Sequence, residues 1–366
     1  MNFVRPNQSE LRAVASLLTQ THDPAGRFDD YTTPALLGLL DYHGVTLLAD
    51  HYHTLPQRLK PLILQRKAMM VANDALKRRE LIQLFNAFAL AQLSQCVLFK
   101  GSALAYTVYA KPWLRPRSDS DILIKPEQRH AFDAVFMALG YTKQFAIEGK
   151  YVSYQSTYSK KLVGKSAINI DLHWRINNRQ ILAQSFDAEE LCRQGHALNQ
   201  LSDNITVPSN VHCLLISSLH RLGHHHNEER LTWLYDIHLL ANSFNAHSWQ
   251  QLVEQARTKK LSAITLDALN HCAQLLNTAI PSVALKQLMS NANKPEPSQL
   301  FLQRDLPERH LFWRDLNAMP SRRARVGLLI ETFIPKPAYI RQQMKTRFAL
   351  WGYLKRAVRG LKRVYK

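Results

Sequence analysis

The sequence predicts an α+β protein in which a small mixed sheet lies between an N-terminal and a C-terminal helical region. Three observations predict it. Apolar residues recur at helical spacing through residues 1–95, as at Leu36, Leu37, Leu40 and Leu47. Residues 96–178 instead carry short apolar runs and alternating segments broken by turn residues. Helical periodicity then returns from residue 179. A period near 3.6 buries one face of a helix and a period of two buries one face of a strand, so the switch locates the sheet. The expected organisation is a helical cap at 1–95, a sheet-bearing core at 96–178, a helical region at 179–290, and a linker with a basic tail at 291–366.

In chain order, Leu11, Val14, Leu17 and Leu18 mark the first helical stripe. A long helix is expected between residues 59 and 95, with Leu81, Leu84, Phe85 and Phe88 on its apolar side and Lys77, Arg78 and Arg79 on a solvated face. His43, His51 and His53, with Asp41 and Asp50 nearby, match no established metal-ligand spacing. Residues 97–99 read as a buried strand, broken by Lys100-Gly101-Ser102 and followed by a helix over 103–109. Asp119 and Asp121 alternate on a second strand ending in Ile122-Leu123-Ile124.

Pro126 suits the first turn of a helix whose stripe is Phe132, Val135, Phe136 and Leu139, closed by Gly140. Residues 151–158 read as a strand, Lys160, Lys161 and Gly164 as a turn, and 167–174 as a returning strand. On that strand Ile168, Ile170 and Leu172 share one parity, while Asn169, Asp171 and His173 share the other. Residues 180–245 read as helix, including 211–222 and 231–237, and residues 291–298, with Pro295 and Pro297, as a linker.

At 366 residues the chain can bury a sizeable core, and its 46% apolar content is that of a globular protein. Lys and Arg outnumber Asp and Glu 47 to 28, giving a net charge of +19. That excess points to anionic partners: nucleotides, nucleic acid, phosphorylated sugars or a membrane surface. The four cysteines (Cys96, Cys192, Cys213, Cys272) show neither a disulfide framework nor a zinc pattern. No signal peptide or membrane-spanning run is expected, which predicts a cytoplasmic protein. After Glu331 the chain has no acidic residue, and its bases interleave with Phe348, Leu350, Trp351, Tyr353, Leu354 and Val358. This basic amphipathic tail is expected to meet an anionic membrane, nucleic acid or polyanion, and so to allow a peripheral membrane location.

Asp119 and Asp121 share one strand face, where two carboxylates repel each other unless a cation lies between them. Gly101 permits close backbone approach to a phosphate, and the N–H groups at a helix start favour an anion. Lys100 and Arg117 are the positive side chains expected nearest that anion, with Arg115 as a third, and Arg117 can equally pair with Asp119. His220 and His224 stand four apart in a histidine-rich stretch, but no Glu lies between them, and a core or helix-end role is expected. Asp236 is expected to be a helix-packing acid.

Gly-Ser at a strand-to-helix turn followed by Asp-x-Asp on the next strand resembles the polymerase-beta-like nucleotidyltransferase superfamily. The stretches Leu98-Phe99-Lys100-Gly101, Tyr109, Arg117, Asp119-Ser120-Asp121 and Ile170-Asp171-Leu172-His173-Trp174 resemble a branch known as uncharacterised nucleotidyltransferases. The resemblance implies that Asp119 and Asp121 bind Mg2+ (or Mn2+) and that Asp171 completes the site. It further implies that Lys100, Gly101, Ser102 and Arg117 hold a nucleoside triphosphate. One spacing departs from the best-known members: sixteen residues separate Ser102 from Asp119. The implied reaction is transfer of a nucleoside monophosphate to a hydroxyl acceptor that the sequence does not identify. Two alternatives are a non-catalytic nucleotide- or nucleic-acid-binding module on the same fold and a toxin-like enzyme modifying tRNA or protein.

Overall fold

A computed structural model describes residues 8–19, 28, 30–53, 55–144, 150–162, 167–223, 228–303 and 306–364. It is an α+β protein with one mixed seven-stranded sheet. The N-terminal helices are α1 (Gln8–Ser16), α2 (Thr33–His43), α3 (Thr46–Tyr52) and α4 (Lys60–Leu90). Strand β1 (Cys96–Phe99), α5 (Lys100–Thr107), β2 (Asp119–Ile124) and α6 (Arg129–Ala138) follow. Next come β3 (Thr142–Lys143), β4 (Gln155–Lys161), β5 (Ala167–His173), α7 (Gln180–Ala183) and α8 (Ala188–Arg193). A hairpin of β6 (His196–Leu198) and β7 (Ser202–Val207) leads into α9 (Asn210–Gly223) and α10 (Leu231–Asn242). Helices α11 (Ala246–Thr258), α12 (Ser262–Leu276), α13 (Ser282–Ala292), α14 (Glu308–Ala318), α15 (Arg322–Phe333), α16 (Pro337–Met344) and α17 (Ala349–Val364) complete the chain.

The strand order is β3-β4-β5-β2-β1-β7-β6. Strands β1 and β7 are parallel, with Val97 opposite Thr206, while β3/β4, β4/β5 and β6/β7 are antiparallel. The sequence reading placed residues 180–245 wholly in helix, and the β6/β7 hairpin corrects it. Ser202, Asp203 and Asn204 at the start of β7 are polar, so the alternation shows only at Ile205 and Val207, both fully buried. Pairing with β1 outweighs that weak local pattern.

The chain divides into two compact units: 1–121 with 189–305, and 122–188 with 306–366. In the first, α9 is buried on nearly every face, so its apolar run packs in all directions. Arg221 on this helix is 2% exposed and is held by Glu229 and Asp267. The segment read as a linker at 291–298 is tied to this unit, because the Glu296 carboxylate accepts from Ser262 N and Ala263 N at the start of α12. In the second unit, Phe132 and Phe136 bury the predicted stripe of α6, and Phe136 stacks on Tyr158 at 4.1 Å. A further core joins Leu316, Met319, Ala324 and Leu328 with Tyr151. There Glu331 accepts from the backbone N–H groups of Lys150, Tyr151 and Val152.

Candidate active site

Strand β1 is buried at all four residues and ends at Phe99. The chain then turns at Lys100, whose φ of 54° is left-handed, and enters α5 directly. The conformational cost therefore falls on a lysine and not on the adjacent glycine. The Arg115 guanidinium packs beside Gly101, where a Cβ would stand 3.4 Å from Nη2, an ordinary van der Waals contact. Ser102, 1% exposed, shares a hydrogen bond of 2.7 Å with Ser120 Oγ and donates to Asp119 O at 3.3 Å. Its hydroxyl thus ties the start of α5 to β2. Lys100 Nζ donates to Asp121 Oδ1 at 2.8 Å, with both side chains largely buried.

The two arginines before β2 are engaged within the protein. Arg115 forks onto Asp236, Nε to Oδ1 and Nη2 to Oδ2, each at 2.8 Å, and Tyr109 OH donates to the same carboxylate at 2.7 Å. Burial alone would lower the Arg115 pKa, but the Asp236 charge more than offsets it and keeps the guanidinium ionised. Burial, reinforced by Asp236, drives the Tyr109 phenol well above its ordinary pKa. Asp236, expected to pack helices, instead accepts from Tyr109 and Arg115 and so anchors the segment between α5 and β2. Arg117 donates to Asp74 at 2.5 Å, to Tyr106 OH at 2.9 Å and to Pro112 O at 3.1 Å, and its guanidinium lies 5.0 Å from the Tyr106 ring centre.

Lys77 turns inward to donate to Arg117 O instead of lying on a solvated face. Burial brings its ammonium down to about 8, with the Arg117 charge adding to the effect and Asp119 and Asp74 opposing it. The sequence reading did not find the Asp74–Arg117–Lys77 network, because a polar residue on a long helix carries no sign of which loop it will meet.

The ligand atoms of Asp121 on β2 and of Asp171 and His173 on β5 all lie within 4.8 Å of one another. Thr157, directly opposite Asp171 on β4, donates to its Oδ1 at 2.6 Å, and Gln155 donates to Oδ2 at 3.4 Å. His173 is 2% exposed. Of the three aspartates predicted from sequence, Asp121 and Asp171 belong to this group, while Asp119 lies two residues before Asp121 and outside it. His173 was not predicted as a ligand, although its parity with Asp171 was legible. Two carboxylates and an imidazole suit a divalent cation, the carboxylates favouring a hard one. The Lys100 ammonium already brings positive charge to Asp121, which fits a cation-binding face. Among the described residues no other such group occurs. His220 packs edge-on against Trp233 at 6.0 Å, and His224, His225 and His226 lie outside the described residues.

The sequence profile of the uncharacterised nucleotidyltransferase family matches residues 34–277, more than half of the chain. The chain belongs to that family. No curated protein matches the sequence. Among solved structures, JHP933 from Helicobacter pylori is similar at 14% identity over 68% of this chain and 98% of its own, with a TM-score of 0.33. A candidate nucleotidyltransferase from H. pylori is similar at 15% identity over 63% of this chain and 95% of its own, with a TM-score of 0.32. The stretch shared with the nucleotidyltransferase family contains the turn at Lys100, both strands of the acidic group and the Arg115–Asp236 anchor. Helices α13 to α17 lie beyond it.

Proposed function

We propose that the protein is a metal-dependent nucleotidyltransferase that moves a nucleoside monophosphate from a nucleoside triphosphate to a hydroxyl acceptor. The observation that carries this reading is the convergence of Asp121, Asp171 and His173, in a chain whose Lys100-Gly101-Ser102 turn opens α5. Asp121 and Asp171 would hold Mg2+ or Mn2+ beside His173, with Asp119 as the second carboxylate of its strand. When bound, such an ion neutralises charge on the triphosphate and acidifies a nearby hydroxyl.

The residues of the chain supply the remaining steps. The backbone N–H groups of Gly101 and Ser102 hold the β- and γ-phosphates at the start of α5, since the Ser102 hydroxyl is occupied within the sheet. Lys100 shifts from Asp121 toward the phosphates as the substrate arrives. Arg117, paired with Asp74, positions the loop that presents Asp119 and Asp121. Asp171, oriented by Thr157, takes the proton of the acceptor hydroxyl. The acceptor oxygen bonds to the α-phosphorus as the bridging α–β bond breaks and pyrophosphate leaves.

Calorimetry with ATP, CTP, GTP and UTP, with and without Mg2+, tests the reading in the native chain and in the Asp121→Asn/Asp171→Asn variant. Metal-dependent binding of a nucleotide, weakened at least ten-fold in the variant, is the expected result. Binding indifferent to both metal and substitution would leave only a nucleotide-binding module, and no binding at all would reject the donor.

A further inference from the structure

Ten of the nineteen large apolar side chains exposed among the described residues lie between Trp313 and Val358. Their placement on α17 is opposite to that of an ordinary surface helix, which turns its apolar stripe inward. At 3.6 residues per turn, Leu350, Trp351, Leu354 and Val358 fall within an arc of about 100°. All four face outward, with Leu350 73% and Trp351 62% exposed. The other side of α17 holds the helix in place. Gly352 lies so close to Ile340 that a Cβ would come within 2.3 Å of its Cγ2, Tyr353 OH donates to Pro335 O, and Arg356 donates to Thr332 O at 2.7 Å.

Helix α15 repeats the arrangement. Ala324 and Leu328 enter the core of the second unit, while Val326, Ile330 and Phe333, spaced by four and three residues, form an exposed row that Ile334 continues. Arg356 and Tyr353 bind the backbone just beside Phe333 and Ile334, which brings the end of this row against α17. Lys336, Arg341, Lys345, Arg347 and Lys355 are exposed in the same segment. Residues 332–366 contain ten basic residues and no acidic one.

Exposed aliphatic and aromatic side chains in a segment rich in bases and free of acids in sequence select the occupant. A second copy of this surface would bring like charges together. A nucleic acid would meet the bases and stack on aromatic rings, but would leave Val326, Ile330, Leu350, Leu354 and Val358 in water. An anionic bilayer accepts all of them: acyl chains take the aliphatic groups, the headgroup zone takes Trp351, and the lipid phosphates take Lys and Arg. No helix among the described residues is long and apolar enough to cross a membrane, so the contact is interfacial. We propose that the exposed faces of α15 and α17 dock this protein on an anionic phospholipid surface.

Co-sedimentation of the full chain with vesicles tests the proposal. Binding to phosphatidylcholine vesicles containing phosphatidylglycerol is expected to be at least ten-fold tighter than to phosphatidylcholine alone, and to weaken with salt. Trp351→Ser/Leu354→Ser should weaken it at least ten-fold while leaving the thermal midpoint unchanged, and a single-stranded RNA probe should be indifferent to those substitutions. If that variant does not fold, Arg341→Gln/Lys345→Gln/Lys355→Gln should give the same loss on vesicles. Absence of vesicle binding, equal binding to neutral vesicles, or binding that survives the loss of Trp351 and Leu354 in a folded variant would each overturn the proposal. RNA binding without vesicle binding would assign the basic segment to nucleic acid instead.

Discussion

Positive charge is handled in opposite ways in the loop before β2 and in the C-terminal helices. In the first region the buried cations are paired: Arg115 with Asp236 and Arg117 with Asp74, as Lys100 at the turn into α5 is with Asp121. In the second, ten Lys and Arg follow one another over 35 residues without an acid in the sequence, and Lys336, Arg341, Lys345, Arg347 and Lys355 among them are exposed. Burial explains the contrast. A charge withdrawn from water needs a partner and full hydrogen bonding, whereas a solvated charge is left to act at a distance. Arg115 and Arg117 are thus held by carboxylates of the protein itself, whereas the exposed bases of the C-terminal segment have no acid near them in sequence.

The largest test of this contrast removes a partner where the charge is buried. Arg115→Ala leaves the Asp236 carboxylate and the Tyr109 hydroxyl buried beside an emptied space, and is expected to cost about 3–5 kcal/mol in denaturant unfolding. Arg115→Met/Asp236→Leu, which removes both charges, should recover most of that loss. Were the single variant as stable as the native chain, the pair would be solvent-screened, and the distinction between the two regions would collapse.

A smaller effect concerns buried groups kept neutral instead of paired. Burial, aided by the Arg230 charge, lowers His43 to about 4, and burial lowers His238 to about 4. The ordinary value for histidine is about 6.5, so between about 4 and 6.5 the unfolded chain binds protons that the folded chain does not. Stability is thus fully present above about pH 6.5 and is lost as the pH falls toward 4. Unfolding midpoints measured at pH 4.5 and 7 should differ by on the order of 2 kcal/mol for each histidine, and His43→Gln should flatten that slope. A pH-independent midpoint would mean that these rings are accessible to water.

How much of this was legible beforehand follows from the range of the interactions. The α+β class, the strand carrying Asp119 and Asp121, and the alternation that places Asp171 on a polar face depend on local periodicity, which a sequence displays directly. The β6/β7 hairpin was hidden, because half of β7 is polar and its pairing with β1 joins residues more than a hundred positions apart. The Arg115–Asp236 and Arg117–Asp74 pairs were hidden for the same reason: charge type is local, but choice of partner is set by the fold. His173 is an intermediate case. Its spacing from Asp171 gave the face, and only the neighbouring strand gave the company of Asp121.

The smallest expected effect bears on the other half of the comparison. If the apolar rows of α15 and α17 face solvent, polar replacement there removes little packing. Ile330→Ser and Leu350→Ser, at positions 53% and 73% exposed, should each change unfolding free energy by less than about 0.5 kcal/mol. Leu328→Ser, two residues before Ile330 and on the buried face of α15, should cost several times more, because it empties a site in the core with Leu316 and Met319. A loss above about 1 kcal/mol at Leu350 would show that its row packs against protein. The exposed bases would then remain without the apolar face that distinguishes a bilayer from any other anion.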